Sequence, residues 1–188
     1  VYLSCSYHSC YAWDNFLFTK YLIRNPLMNT HKGTMNRSII INTSVFYKTN
    51  FFGNVHGGDV LKLLDQVAYA CASRYAGAYV VTLSVDRVTF RQPIHVGELV
   101  TFLSSVNYTG TSSMEVGIKV LAENIRTQTK RHVNSCFFTM VAVDGSHKPQ
   151  AVPPLRPFSL DEKIRFAAAK VRKNMRQETE KQESHVSD

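Results

Sequence analysis

Residues 59–76 confine what this chain can fold into more than any other stretch. Val60, Leu64, Val67, Cys71 and Tyr75 recur at helical spacing. Leu61, Leu63, Ala68, Ala70 and Ala72 leave most of the remaining circumference apolar or small. A helix apolar nearly all round has to be covered on most of its sides. Gly77 suits its C-terminal stop, because glycine takes the left-handed conformation that ends helices. The cover has to come from the rest of the chain, and that rest is patterned as strand.

Residues 38–47 are rich in β-branched and aromatic types and predict a strand, followed by a polar loop from Lys48 to Gly58. After the helix, Tyr79–Phe90 and Leu99–Tyr108 are strand-like, separated by a turn region from Pro93 to Glu98 with Gly97 as its special position. Met114–Ile125 alternates Val116, Ile118 and Val120 with Glu115, Gly117 and Lys119, the period of a half-buried strand. Arg131–Val143 is the last strand. The order is one strand, one helix, four strands, and no internal repeat is present.

An antiparallel five-stranded sheet has one face to bury, and a single helix supplies the matching apolar surface. The expected fold is therefore α+β, a sheet wrapped around one long central helix, which is the hotdog arrangement. So thin a layer leaves sheet edges exposed and favours pairing of two subunits. Residues 1–35 are expected to lie outside the fold, 36–158 to form the hotdog domain, and 159–188 to form a C-terminal helix and polar tail. Ser159 and Glu162 make an S-x-x-E capping box for that helix. Ile164, Ala168, Val171 and Met175 form a narrow apolar stripe on it, suited to docking on its own domain or a neighbouring subunit.

Composition narrows the function classes only partly. The net charge of +8 would attract nucleic acid, acidic lipid or a phosphorylated small molecule, and charge alone does not choose. No run of about 18 apolar residues exists, so no membrane insertion is expected. Cys71 and Cys136 fall in apolar segments, where free cysteine behaves as a small hydrophobe. Cys5, His8 and Cys10 lack a second pair of ligands, so no metal site is expected. A reducing, cytoplasmic setting fits this usage.

The chemistry concentrates in Thr49-Asn50-Phe51-Phe52-Gly53-Asn54-Val55-His56-Gly57-Gly58-Asp59, running into the helix that carries Asp65. Adjacent glycines at a helix start let backbone N–H groups approach a ligand closely, and the helix terminus adds partial positive charge. Both suit the oxyanion formed when a thioester carbonyl is attacked, and the spacing fits an ordinary glycine-rich loop equally well. Asp65 sits two turns into a mostly apolar helix. A carboxylate there must be paired, with Lys62 as the structural choice, or hydrated, or functional. Partial desolvation would make it a better base. His56 either joins Asp65 as an acid–base pair or hydrogen-bonds the loop backbone.

The string from Asn50 to Gly58, then Leu61-Lys62-Leu63-Leu64-Asp65, resembles the cytosolic acyl-CoA thioester hydrolases of hotdog fold. The likeness continues through Thr111–Val120 and Ala122–Thr127 and spans some 120 residues. It implies hydrolysis of acyl-CoA, with Asp65 as general base on water, or as nucleophile. Asn50 from a partner subunit would orient the water or carbonyl. Backbone N–H groups around His56, Gly57 and Gly58 would hold the oxyanion. Thr111, Ser112 and Ser113 would contact the CoA moiety. The implied assembly is a homodimer, or a trimer of dimers. No cofactor is implied beyond the coenzyme A of the substrate, and no nucleic-acid partner. The CoA phosphates would draw on Arg91, Lys130, Arg131 or the tail cations. Two other readings compete. One is a hotdog acyl-thioester dehydratase using His56 and Asp65, although no prolines flank His56 as that chemistry expects. The other is a non-catalytic acyl-CoA sensor.

Overall fold

The computed structural model describes Ile40–Thr43 and residues 53–186, with side chains described over 53–183. Asn50, Cys5, His8 and Cys10 lie outside the described residues, as does the expected extension.

The elements run β1 (Ile40–Thr43), α1 (Gly57–Ala76), β2 (Tyr79–Phe90), β3 (Leu99–Thr109), β4 (Ser113–Asn124), β5 (Thr129–Val143) and α2 (Leu160–Val186). The described part of the first strand is four residues of the ten expected. The sheet has the order β1-β3-β4-β5-β2, with every neighbouring pair antiparallel. Consecutive strands β3, β4 and β5 form a meander. Strand β2 closes one side on β5 and β1 closes the other on β3, so the two strands flanking α1 in sequence are the two edges. The hotdog layout is the one the pattern predicts.

The core lies between α1 and one face of the sheet. Val60, Leu64, Val67, Ala68, Cys71 and Ala72 form the buried side of the helix. They meet Phe102, Val106, Val116, Ile118, Phe138 and Met140, alternate residues that point to the same face of their strands. Gly77 ends the helix at φ 64°, its N–H donating to the Ser73 carbonyl at 2.9 Å.

Two expectations need correction. Helix α1 is covered on one side only: Leu61 is 39% and Tyr69 42% exposed, and Lys62, Asp65 and Gln66 share that open side. A single sheet reaches only one face of a helix, and the apolar residues left over face outward from the protomer.

Helix α2 docks on the opposite face of the sheet, and not through its apolar stripe. Ile164, Val171 and Met175 are 57%, 58% and 64% exposed. The docking side is Phe166 against the Tyr108 ring, Arg172 in an ion pair with Glu115, and Arg176 in an ion pair with Asp86. The guanidinium of Arg172 also lies 3.7 Å from the centre of the Phe137 ring. This outer face carries carboxylates and an open ring face, so it selects the cationic side of the helix. The capping box forms as expected, with Glu162 N–H donating to Ser159 Oγ at 3.3 Å and Ser159 N–H to Glu162 Oε2 at 3.0 Å.

Candidate active site

Helix α1 begins at Gly57, two residues earlier than its apolar pattern suggests. The glycine pair is therefore the first turn of the helix. His56 is the N-cap residue, extended at φ −67° and ψ 132°, and its carbonyl accepts from Asp59 and Val60 N–H at 3.1 and 3.2 Å. The N–H groups of Gly57 and Gly58 precede the first intrahelical bonds, as the leading donors of any helix do. A Cβ on Gly57 would stand 3.5 Å from the Phe90 ring. The His56 side chain is exposed and makes no hydrogen bond to the loop backbone among the described residues.

The loop is fixed from below. Val55 N–H donates to the Ile94 carbonyl at 2.9 Å, and Asn54 Oδ1 meets His95 Nδ1 at 2.9 Å. The turn carrying Ile94 and His95 is clamped to β5 by Arg131, which reaches Glu98 at 2.5 and 2.6 Å and the Pro93 carbonyl at 3.1 Å. Burial alone would raise the Glu98 carboxyl, but the His95 N–H and the Arg131 guanidinium outweigh it and hold the group below the usual carboxylate range. Beside this turn a cleft of about 350 Å³ opens against the helix start, lined by Asn54, Gly57, Val60, Phe90, Arg91 and Gln92.

Asp65 lies eight residues along α1 from Gly57, about 12 Å at helical rise. It is exposed in the protomer, contrary to the expected partial burial, because it sits on the open side of the helix. It does not pair with Lys62. Its Oδ1 accepts a 2.7 Å hydrogen bond from Thr82 Oγ1 on β2. Thr82 was not singled out by the sequence. Its hydroxyl is ordinary for a strand, and only the packing of β2 under α1 brings it to the carboxylate seventeen residues earlier. Nine residues, about 14 Å at helical rise, part Asp65 from His56, too far to act as an acid–base pair within a protomer.

Thr111, Ser112 and Ser113 fall elsewhere. Their hairpin is held by Ala142 N–H to the Ser112 carbonyl and Val152 N–H to the Thr111 carbonyl, both 2.9 Å. Ser113 pairs with Val141, and Val143 pairs with Tyr79, so the hairpin stands at the C-terminal end of α1. The glycine turn stands at the other end beside Phe90, one length of α1 away, about 28 Å. A single protomer does not bring the two together. Of the cations considered for phosphate, Arg131 is held by Glu98 and Lys130 by Glu123, while Arg91 lines the cleft at the helix start.

Around Asp65 the surface is apolar and open. Leu61 and Tyr69 flank it on α1, with Leu83 67% and Val85 41% exposed on β2. Strand β2 has β5 on one side only, so its other edge is unpaired among the described residues. No group of three or more His, Cys, Asp or Glu among the described residues is arranged to hold a metal.

Known proteins resolve what this arrangement belongs to. Residues 52–129 match the family model of the thioesterase superfamily. Over 127 residues the chain is 54% identical to protein VdlD of Helicobacter pylori, covering 68% of this chain and 72% of that protein. An apo-hexameric acyl-CoA thioesterase superposes with a TM-score of 0.74 at 34% identity, covering 78% of this chain and 97% of that one. The acyl-CoA hydrolase of Staphylococcus aureus, solved with butyryl coenzyme A and coenzyme A, superposes at 0.71 with 31% identity, covering 80% and 95%. Alanine variants of that hydrolase have been solved at an asparagine, at an aspartate fifteen positions later and at a threonine seventeen beyond that. Asn50, Asp65 and Thr82 stand at the same two spacings in this chain. The chain belongs to the thioesterase superfamily, among the acyl-CoA thioester hydrolases of hotdog fold.

Proposed function

We propose that this protein hydrolyses acyl-CoA thioesters to the free acid and coenzyme A, with Asp65 as general base at a site shared between two copies. The observation that carries the reading is the Asp65 carboxylate, held at one oxygen by Thr82 and set in an open apolar surface at an unpaired strand edge. Joining two copies through β2 would cover Leu61, Tyr69, Leu83 and Val85. It would withdraw Asp65 from bulk water, the condition under which a carboxylate becomes a useful base.

In that assembly Asp65 takes a proton from water as the water oxygen bonds to the thioester carbon. The oxyanion is held by N–H groups at the start of α1, around His56, Gly57 and Gly58, from the other copy. Collapse breaks the C–S bond, and the proton on Asp65 passes to the departing thiolate. Asn50 of that other copy would orient the water or the carbonyl. Arg91, in the cleft beside Gly57, suits a CoA phosphate. A two-fold pairing also supports a role for Thr111–Ser113, since one copy's hairpin end then approaches the other's helix start. The protein acts as a homo-oligomer, at least a dimer, with a trimer of dimers as the larger form. Cys71 and Cys136 are buried thiols outside any disulfide, which supports a reducing, cytoplasmic site of action, and the hydrolysis proposed here needs no added cofactor.

The test is CoA release from acyl-CoAs of rising chain length by wild type and Asp65→Asn. Hydrolysis by the wild type with a loss of at least about a hundredfold in the variant is expected. Binding of acyl-CoA without turnover would overturn the reading in favour of a sensor.

A further inference from the structure

The outer face of the sheet holds a second cleft, remote from Asp65. Alternation along β4 sets Ile118 and Val120 under α1 and leaves Gly117 and Lys119 on the side that α2 covers. The whole sheet therefore separates this cleft from the helix that carries Asp65. It has a volume of about 420 Å³ and runs between α2 and strands β3, β4 and β5.

Its polar walls are mostly donors. Lys119 and Ser135 face each other in register across β4 and β5, and Arg165 and Arg172 come down from α2. The one acid beside it is already neutralised: Glu115, 3% exposed, accepts from Arg172 at 2.6 and 3.1 Å. Of the three cations that line this cleft, Arg172 meets a carboxylate and Arg165 and Lys119 do not, among the described residues. Arg131, Arg172, Arg176 and Lys130 each meet a carboxylate. Neither Arg165 nor Lys119 has an ion-pair or hydrogen-bond partner among the described residues, and Arg165 Nε is buried with no acceptor. A buried donor on a guanidinium without a partner is costly, and the groups that best satisfy it are anionic oxygens.

We propose that this cleft is a second ligand site, taking the phosphate group of a small molecule between Arg165 and Lys119. A phosphate suits it better than a carboxylate because the two cations approach from different walls, Arg165 from α2 and Lys119 from β4, and phosphate offers acceptor oxygens in several directions. The cleft lies across the sheet from Asp65 of the same protomer, so its ligand is proposed as an effector and not as that protomer's substrate. Inorganic phosphate and a nucleotide phosphate share this chemistry.

The experiment is calorimetric titration of the full chain with inorganic phosphate and with ADP, at low chloride. Wild type, Asp65→Asn, Arg91→Gln, Arg165→Gln and Lys119→Gln are compared. At least one probe is expected to bind wild type, Asp65→Asn and Arg91→Gln alike, and about tenfold or more weakly to Arg165→Gln and Lys119→Gln. Tighter binding of ADP than of phosphate would identify a nucleotide as the ligand. Lys119 is exposed, so its variant carries the test even if Arg165→Gln does not fold. No binding of either probe at millimolar concentration would overturn the proposal. So would binding that survives both cleft substitutions, or that is lost in Arg91→Gln instead. None of these outcomes depends on whether Asp65 is the base.

Discussion

Replacing Thr82 by valine isolates the positioning of Asp65 from its chemistry. The threonine hydroxyl donates a 2.7 Å bond to Oδ1, which leaves Oδ2 for a water. Without it the carboxylate can turn about χ1 and χ2 among several staggered and near two-fold positions, of which few present an oxygen to the water. A hydrogen bond to a charged group is worth about 1.5–3 kcal/mol. Where a second copy shields the pair from solvent, its loss corresponds to a fall in kcat/KM of about ten- to a hundredfold. CoA release is assayed for wild type, Thr82→Val, Thr82→Ser, Asp65→Asn and the Thr82→Val/Asp65→Asn double variant. Thr82→Ser keeps the donor and should retain most activity. In the double variant the second change should cost almost nothing, because residues that act as a unit are non-additive. Full activity in Thr82→Val, or the same fold-loss from Thr82→Val in both Asp65 backgrounds, would refute the positioning argument.

Two further outcomes follow from the ion pairs. Glu98→Gln should destabilise the protein by about 2 kcal/mol at neutral pH, since it removes the charge on which Arg131 closes. The Glu98 carboxyl is lowered in the folded state, so its contribution is complete above the unfolded value of 4.5 and disappears as pH falls through the lower folded value. Urea midpoints of wild type and variant should therefore converge below about pH 4.5, and a gap that stays constant would contradict the linkage. Arg172→Met leaves Glu115 buried without its partner and should cost about 3–5 kcal/mol, whereas adding Glu115→Gln should recover much of that loss. Thermal or urea unfolding of the single and double variants checks this.

Local pattern alone made much of the molecule legible. The helical period of 60–75, the two-residue period of Met114–Ile125 and the turn residues between strands are properties of consecutive residues, and each element formed near its expected place. The capping box is local too, three residues between its partners, and it closes as written. Asp65 stood out because a carboxylate in an apolar helix is anomalous wherever the helix ends up. Tertiary packing settled what no local pattern encodes. Which side of α1 stays open depends on the reach of one sheet, and that left Asp65 exposed. Which side of α2 docks depends on carboxylates and rings presented by β2, β3, β4 and β5, so Arg172 and Arg176 face the sheet while Val171 and Met175 stay exposed. Thr82 joins Asp65, and Arg165 lines one cleft with Lys119, because strands and helices distant in sequence cross there, and such arrangements are set by three-dimensional packing and not by spacing along the chain.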